Sequence, residues 1–176
     1  MIKYLLLISR QGKLRLAKWF LTMTSKTKSR IVQDLTQQVL ARRPRMCNVL
    51  DAEGGQDTRI IYRRYASLFF VCGVDAADNE LLTLEIIHRY VEVLDRYFGN
   101  VTELDLIFNF QKAYAVLDEV VIAGEIQESS RSTALRLVSG SRFPVLRYLW
   151  ALIQSTESEL VEENEIMTQE LVKAFF

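Results

Sequence analysis

The run at residues 59–74, RIIYRRYASLFFVCGV, constrains this chain more than any other stretch. Apart from its three arginines it is mostly apolar and β-prone. A strand rises about 3.4 Å per residue, so a single strand of this length would reach about 50 Å. Strands usually have about 5–6 residues. The run is therefore expected to fold back as two paired strands. The pair Arg63-Arg64 lies near its middle and is the natural place to turn, although YRRY has no Gly, Pro, Asn or Asp.

Other segments supply partners for these strands. IKYLLLISRQGKLRLAKWFL reads as two strands joined by RQGK, with Gly12 providing the permissive backbone. The first is continuously apolar, which predicts an interior strand covered on both faces. In the second, strict alternation puts Leu14, Leu16, Lys18 and Phe20 on one face and Arg15, Ala17, Trp19 and Leu21 on the other. Residues 24–43 read as a helix capped by Thr24 or Ser25, with Ile31, Leu35 and Val39 at helical spacing and Pro44 as its stop. RMCNVL is a short strand and DAEGGQD a loop. DNELLTLEIIHRYVEVLDRYFG is the clearest helix, begun by Asp78 or Asn79 and ended by Gly99, with a predicted stripe of Leu84, Ile87, Val91 and Leu94. ELDLIFNFQKAYAVLDEVVIAG is either one helix ending at Gly124 or two short ones bent near Asn109-Phe110. The order β-β-α-β-β-β-α-α predicts an α+β fold, an antiparallel five-stranded sheet with helices packed on it. From Leu137 the character changes to an apolar, Pro-interrupted stretch and then an acidic one. The expected organisation is a domain at 1–136 and a tail at 137–176.

At 176 residues with 49% hydrophobic content, the chain can bury a substantial core. Its 22 basic and 22 acidic side chains balance, which argues against a general nucleic-acid binder. Cys47 and Cys72 are too few for a stapled secreted framework and read as reduced, buried thiols. The N-terminus makes a poor signal peptide, and no window reaches the roughly 20 apolar residues of a membrane span. The expectation is a soluble protein, or one held at a membrane by partners.

No catalytic constellation emerges. His88, the only histidine, lies beside Ile87 and Val91 and reads as a structural residue in apolar company. The cysteines lack metal-ligand spacing. The pair at Gly54-Gly55 opens no phosphate loop. The acidic residues Asp75, Asp78, Glu80 and Glu85 suit caps and surface faces better than a calcium loop. No cofactor is expected. The basic residues Arg10, Lys13, Arg15 and Lys18, then Arg42, Arg43 and Arg45, then Arg63 and Arg64, read either as ordinary solvated surface or as a face for an acidic peptide or lipid headgroup. Arginine's two-pronged fork suits carboxylates and phosphates.

Four stretches together, SRQGKLRLAKW, IIYRRYASLFF, DNELLTLEIIHRYVEVLDRYFGNV and ELDLIFNFQKAYAVLDEVVIAGEIQESS, resemble the sigma (small) subunit of the heterotetrameric clathrin adaptor complexes. The resemblance runs from Met1 to about Arg136. SRQGKLRL, VLARRPRMC and YASLFF are more similar to the trans-Golgi and endosomal type, with the plasma-membrane type as nearest competitor. The resemblance implies a longin-like fold, no enzymatic activity, and a core shared with two large subunits (gamma-type and beta-type) and one medium, mu-type subunit. It also implies binding of acidic dileucine signals, [DE]xxxL[LI], in the cytosolic tails of membrane cargo, and a peripheral place on Golgi and clathrin-coated vesicle membranes. Carried over by position, Arg15 would meet the signal's acidic residue. Ala66 and Leu68, on the strand after YRRY, would line the pocket with Val91 of the long helix and Asn100, Val101 and Leu104 of the turn that follows it. Tyr65 would lie at the rim. Residues two apart share a sheet face, which would put Ala66 and Leu68 side by side. The alternatives are a purely structural subunit silent toward cargo, the endocytic sigma subunit, or another longin-like regulator. A SNARE would need a long heptad helix at the C-terminus, which the interrupted tail lacks.

Overall fold

The structure, a computed structural model, describes residues 1–43, 46–51, 57–127 and 130–139. Pro44, Arg45, the glycine pair and the tail from residue 140 lie outside these. Strands β1 (Ile2–Ser9), β2 (Leu14–Trp19), β3 (Val49–Asp51), β4 (Thr58–Tyr65) and β5 (Leu68–Asp75) form one sheet in the order β2-β1-β5-β4-β3. Every neighbouring pair is antiparallel. The continuously apolar β1 lies inside the sheet between β2 and β5, and only Lys3 of it is less than buried. Met1–Val138 form one compact unit.

Helix α1 (Ser25–Leu40) covers one face. Thr24 caps it, its hydroxyl accepting from the Thr27 amide. Leu35 and Val39 pack on Tyr4, Leu6, Ile8, Ile60, Tyr62, Phe69 and Val71, with Ala17 and Trp19 at the margin. The other face carries α2 (Glu80–Phe98) and α4 (Phe110–Val120), separated by the short α3 (Glu103–Phe108). There Phe70 meets Tyr90 edge-to-face at 6.1 Å, and the Tyr90 hydroxyl donates to the Ala113 carbonyl at 2.9 Å. Burial beside Tyr114 and Asp118 pushes the Tyr90 phenol well above its ordinary range, so it stays a donor. The Tyr114 hydroxyl closes the β2 edge, accepting from the Ala17 amide and donating to the Ala17 carbonyl, both at 3.0 Å. The result is the expected longin-like layering of a sheet between helices.

Several details differ from the sequence expectation. The turn in RIIYRRYASLFF falls at Ala66-Ser67. Arg63 and Arg64 are still in β4, paired with Phe70 and Phe69. The two arginines therefore face opposite sides, Arg63 over the Tyr65 ring at 5.3 Å and Arg64 over the Phe69 ring at 5.6 Å. Ala66 is not a strand residue but a turn residue with φ +50°, so it shares no strand face with Leu68. The buried stripe of α2 is Thr83, Ile86, Ile87, Tyr90, Val93 and Leu94, leaving Leu84 and Val91 half-buried on its flank. Of the two readings of residues 103–124, the bent one holds, with the break at Asn109. The helix stops at Val120 rather than Gly124, because the β-branched run Val120-Val121-Ile122 goes over to a small hairpin of β6 (Val121–Ile122) and β7 (Glu125–Ile126). Its tip docks on the start of β1. The Ile2 amide donates to the Gly124 carbonyl at 2.9 Å, and a Cβ on Gly124 would lie 2.2 Å from the Ile2 carbonyl oxygen. A last helix, α5 (Arg131–Ser139), crosses the 136/137 boundary, with Val138 buried. Both cysteines are free, but only Cys72 is buried; Cys47 is exposed, beside the short edge strand β3.

Candidate functional site

The sheet end formed by the β1–β2 and β4–β5 turns carries Arg15, Tyr65, Ala66 and Leu68 of the expected site. The two turns are tied together by the Arg10 amide donating to the Ser67 carbonyl at 2.8 Å. Arg15 owes its direction to an irregularity. Leu14 pairs with Ile8 and Leu16 with Leu7, so Arg15 is the extra residue of a β-bulge. Strict alternation would send it to the α1 face with Ala17 and Trp19. The bulge instead turns it to α3, where Nε and Nη2 donate to one carboxylate oxygen of Glu103 at 3.1 and 3.0 Å. The other oxygen of Glu103 accepts from the Ser67 hydroxyl at 2.8 Å. Glu103 thus joins β2, the β4–β5 turn and α3.

Helix α3 holds Glu103 in its first turn because Thr102 caps it. The Thr102 hydroxyl accepts from the Asp105 amide while the Asp105 carboxylate accepts from the Thr102 amide, a reciprocal capping box. The Thr102 hydroxyl and amide together hold the Asp105 carboxyl below the usual aspartate range. Upstream, Gly99 and Asn100 both take left-handed conformations, and the Asp95 carboxylate accepts from the Val101 amide at 3.1 Å. Asn100 is among the few non-glycine residues suited to that backbone.

On the α2 side, Tyr65 pairs with Leu68 across the turn, stacks on His88 and shares a 2.9 Å hydrogen bond with its Nδ1. Burial raises the Tyr65 phenol, while the Arg63 charge pulls the other way. His88 is thus not in purely apolar company, since Glu92 approaches its other ring nitrogen at 3.7 Å. Val91 follows His88 by three residues on the same helix and is half-buried.

Exposure sorts the apolar residues. Leu104 is 61% exposed and Ala66 is exposed, Val91 and Val101 are half-buried, and Leu68 is only 7% exposed. The buried leucine of α3 is Leu106. Phe108, one turn after Leu104, is 78% exposed and extends the apolar surface. Sequence reading missed Glu103, Ser67 and the His88 contact. The only available signal was the ELDL start of α3 facing a basic hairpin, and it needs the fold to be read. Two grooves of about 670 and 600 Å³ lie elsewhere, on either side of α1. Among the described residues no group of three His, Cys, Asp or Glu is placed to hold a metal, and no helix is long and apolar enough to cross a membrane.

The family model of the clathrin adaptor complex small chain matches residues 1–142. The chain is 57% identical over 137 residues to the AP-1 complex subunit sigma-1 of Schizosaccharomyces pombe, covering 78% of this chain and 83% of that one. It is 51% identical over 138 residues to human AP-1 complex subunit sigma-1A, with coverage of 78% and 85%. With the AP-1 complex subunit sigma-1 of Arabidopsis thaliana it shares 55% identity over 139 residues, 79% and 84% of the two chains. A chain in a homology model of the full-length AP-3 complex in a stretched open conformation superposes with a TM-score of 0.63 at 27% identity, covering 90% of this chain and 99% of that one. A longin-like sheet between helices, matched over most of its length by these small chains, makes this protein a member of the clathrin adaptor complex small chain family, of the AP-1 sigma type.

Proposed function

We propose that this small chain helps assemble the core of a trans-Golgi and endosomal clathrin adaptor and reads acidic dileucine signals there, without chemistry of its own. Its partners in that reading are a gamma-type and a beta-type large subunit, a mu-type medium subunit and the cargo tail, and the core carries it to Golgi and clathrin-coated vesicle membranes. The division into a domain at 1–136 and a tail at 137–176 belongs to the same proposal, with the cargo site wholly in the domain.

The observation that supports the reading is the bulge at Arg15, which turns a fork-bearing cation toward α3, whose Leu104 leaves apolar surface open. An arginine beside accessible apolar side chains suits a ligand with a carboxylate and two leucines. Burying a leucine contributes about 1.5–3 kcal/mol. Ordering a flexible tail offsets much of it, so affinity about the micromolar level is expected. The test is Val91→Asp in the assembled core. It should abolish binding of a [DE]xxxL[LI] peptide while assembly persists, and binding that survives would refute the site.

One observation favours the purely structural alternative. Leu68 is buried in the free chain, as a core residue is. If Leu68→Ser disrupts assembly and never cargo binding alone, that alternative gains.

A further inference from the structure

The fork of Arg15 is already occupied. Its Nε–Nη2 edge is spent on the Glu103 carboxylate, and Ser67 anchors that carboxylate from the other side. Both side chains of the ion pair are largely shielded, with 22% and 24% exposure. Glu103 is not needed to cap α3, because Thr102 and Asp105 already satisfy one another there. Among the described residues, Arg10, Lys13, Arg63 and Arg64 have no ion pair, although they lie on the same two hairpins. Lys18 of the first hairpin is paired with Asp118 at 2.8 Å, and the cation assigned to the signal's acidic residue is likewise neutralised within the chain.

We propose that Glu103 is a built-in competitor for the acidic residue of the signal, and so sets how strongly that residue is selected. The inference rests on the dileucine reading above. A guanidinium holds five N–H donors in a fixed plane, and Glu103 takes two of them. A carboxylate arriving at the remaining Nη1–Nη2 edge meets a charge that is already cancelled and a second carboxylate beside it. Like charges so placed repel. Full engagement of Arg15 requires Glu103 to leave for solvent and to give up Ser67. The acidic residue then contributes only the difference between its own bonds and those of Glu103. The apolar slot carries most of the affinity, and the acidic position acts as a filter.

The experiment measures fluorescence anisotropy of labelled synthetic peptides on the assembled core containing the full chain. One peptide has Glu four residues before Leu-Leu, one has Gln there, and a control has Ala-Ala for Leu-Leu. Glu103→Gln keeps an acceptor for Arg15 but removes the charge. It should tighten the Glu peptide by about 1.5-fold to fivefold, the range for a solvent-accessible ion pair, and leave the Gln peptide unchanged. Ser67→Ala frees one side of Glu103 and should tighten the Glu peptide by a smaller factor. It carries the test alone if the first variant fails to assemble. An unchanged or weaker Glu peptide would overturn the inference and make Glu103 a positioning residue for Arg15. A wild-type core that does not prefer the Glu peptide to the Ala-Ala control would overturn the dileucine reading, and this inference with it.

Discussion

Gly73 leaves no room for a side chain. A Cβ there would lie 2.2 Å from the ring of Tyr4, which is itself buried between β5 and α1. Gly73→Ala should therefore destabilise the fold by about 1–3 kcal/mol, as overpacking does, seen as a lower urea midpoint at unchanged slope. Two residues on, at the end of β5, Asp75 accepts from Lys3 at 2.9 Å and faces the N-terminal ammonium. The hydrogen bond from Lys3 is the main cause that holds its carboxyl below the usual range. A carboxyl lowered in the folded state stabilises above its unfolded pKa, about 3.9 for aspartate, and that stabilisation is lost as pH falls through the folded value. Melting temperature should drop as pH falls below about 4, and Asp75→Asn should flatten part of that drop. A slope untouched by the substitution would count against the pairing. Arg63 and Arg64, which looked like a basic tip, turn out to be strand residues whose guanidinium groups lie over Tyr65 and Phe69 on opposite faces.

At the scale of elements, the β4–β5 turn is where sequence rules gave the poorest guide. A two-residue turn with a positive φ at its first central position calls for glycine, and alanine stands there. Left-handed backbone costs alanine about 1–2 kcal/mol, against glycine's entropic penalty of about 0.5–1. Ala66→Gly should thus raise stability, by up to about 1 kcal/mol, while Ala66→Val should lower it; a denaturant series on the three proteins checks the order. The helices were easier to read. Thr24, Asn79 and Gly99 stand at helix termini, as their cap chemistry predicts. The end of α4 was misread because an apolar run has no period that separates buried helix from strand. The bulge at Arg15 was equally hidden, since nothing in GKLRLAKW departs from plain alternation.

For the whole molecule, family membership makes other adaptor subunits the natural partners, and under the proposal above a gamma-type large subunit should co-purify with this chain. Recovery of an alpha-type subunit instead would move it to the endocytic complex. The fold class, the strand pairing around Gly12 and the helix caps were legible along the chain, because each depends on local spacing and turn chemistry. The family was legible too, from motifs that lie contiguous in sequence. Which residues meet at the candidate site was not. Arg15, Ser67 and Glu103 are up to 88 positions apart, and their meeting depends on a one-residue bulge, a left-handed turn and the placement of a capped six-residue helix. Local pattern sets which elements form. Only packing of the two faces of the sheet decides that the cation expected to read an acidic ligand is held by an acid of its own chain.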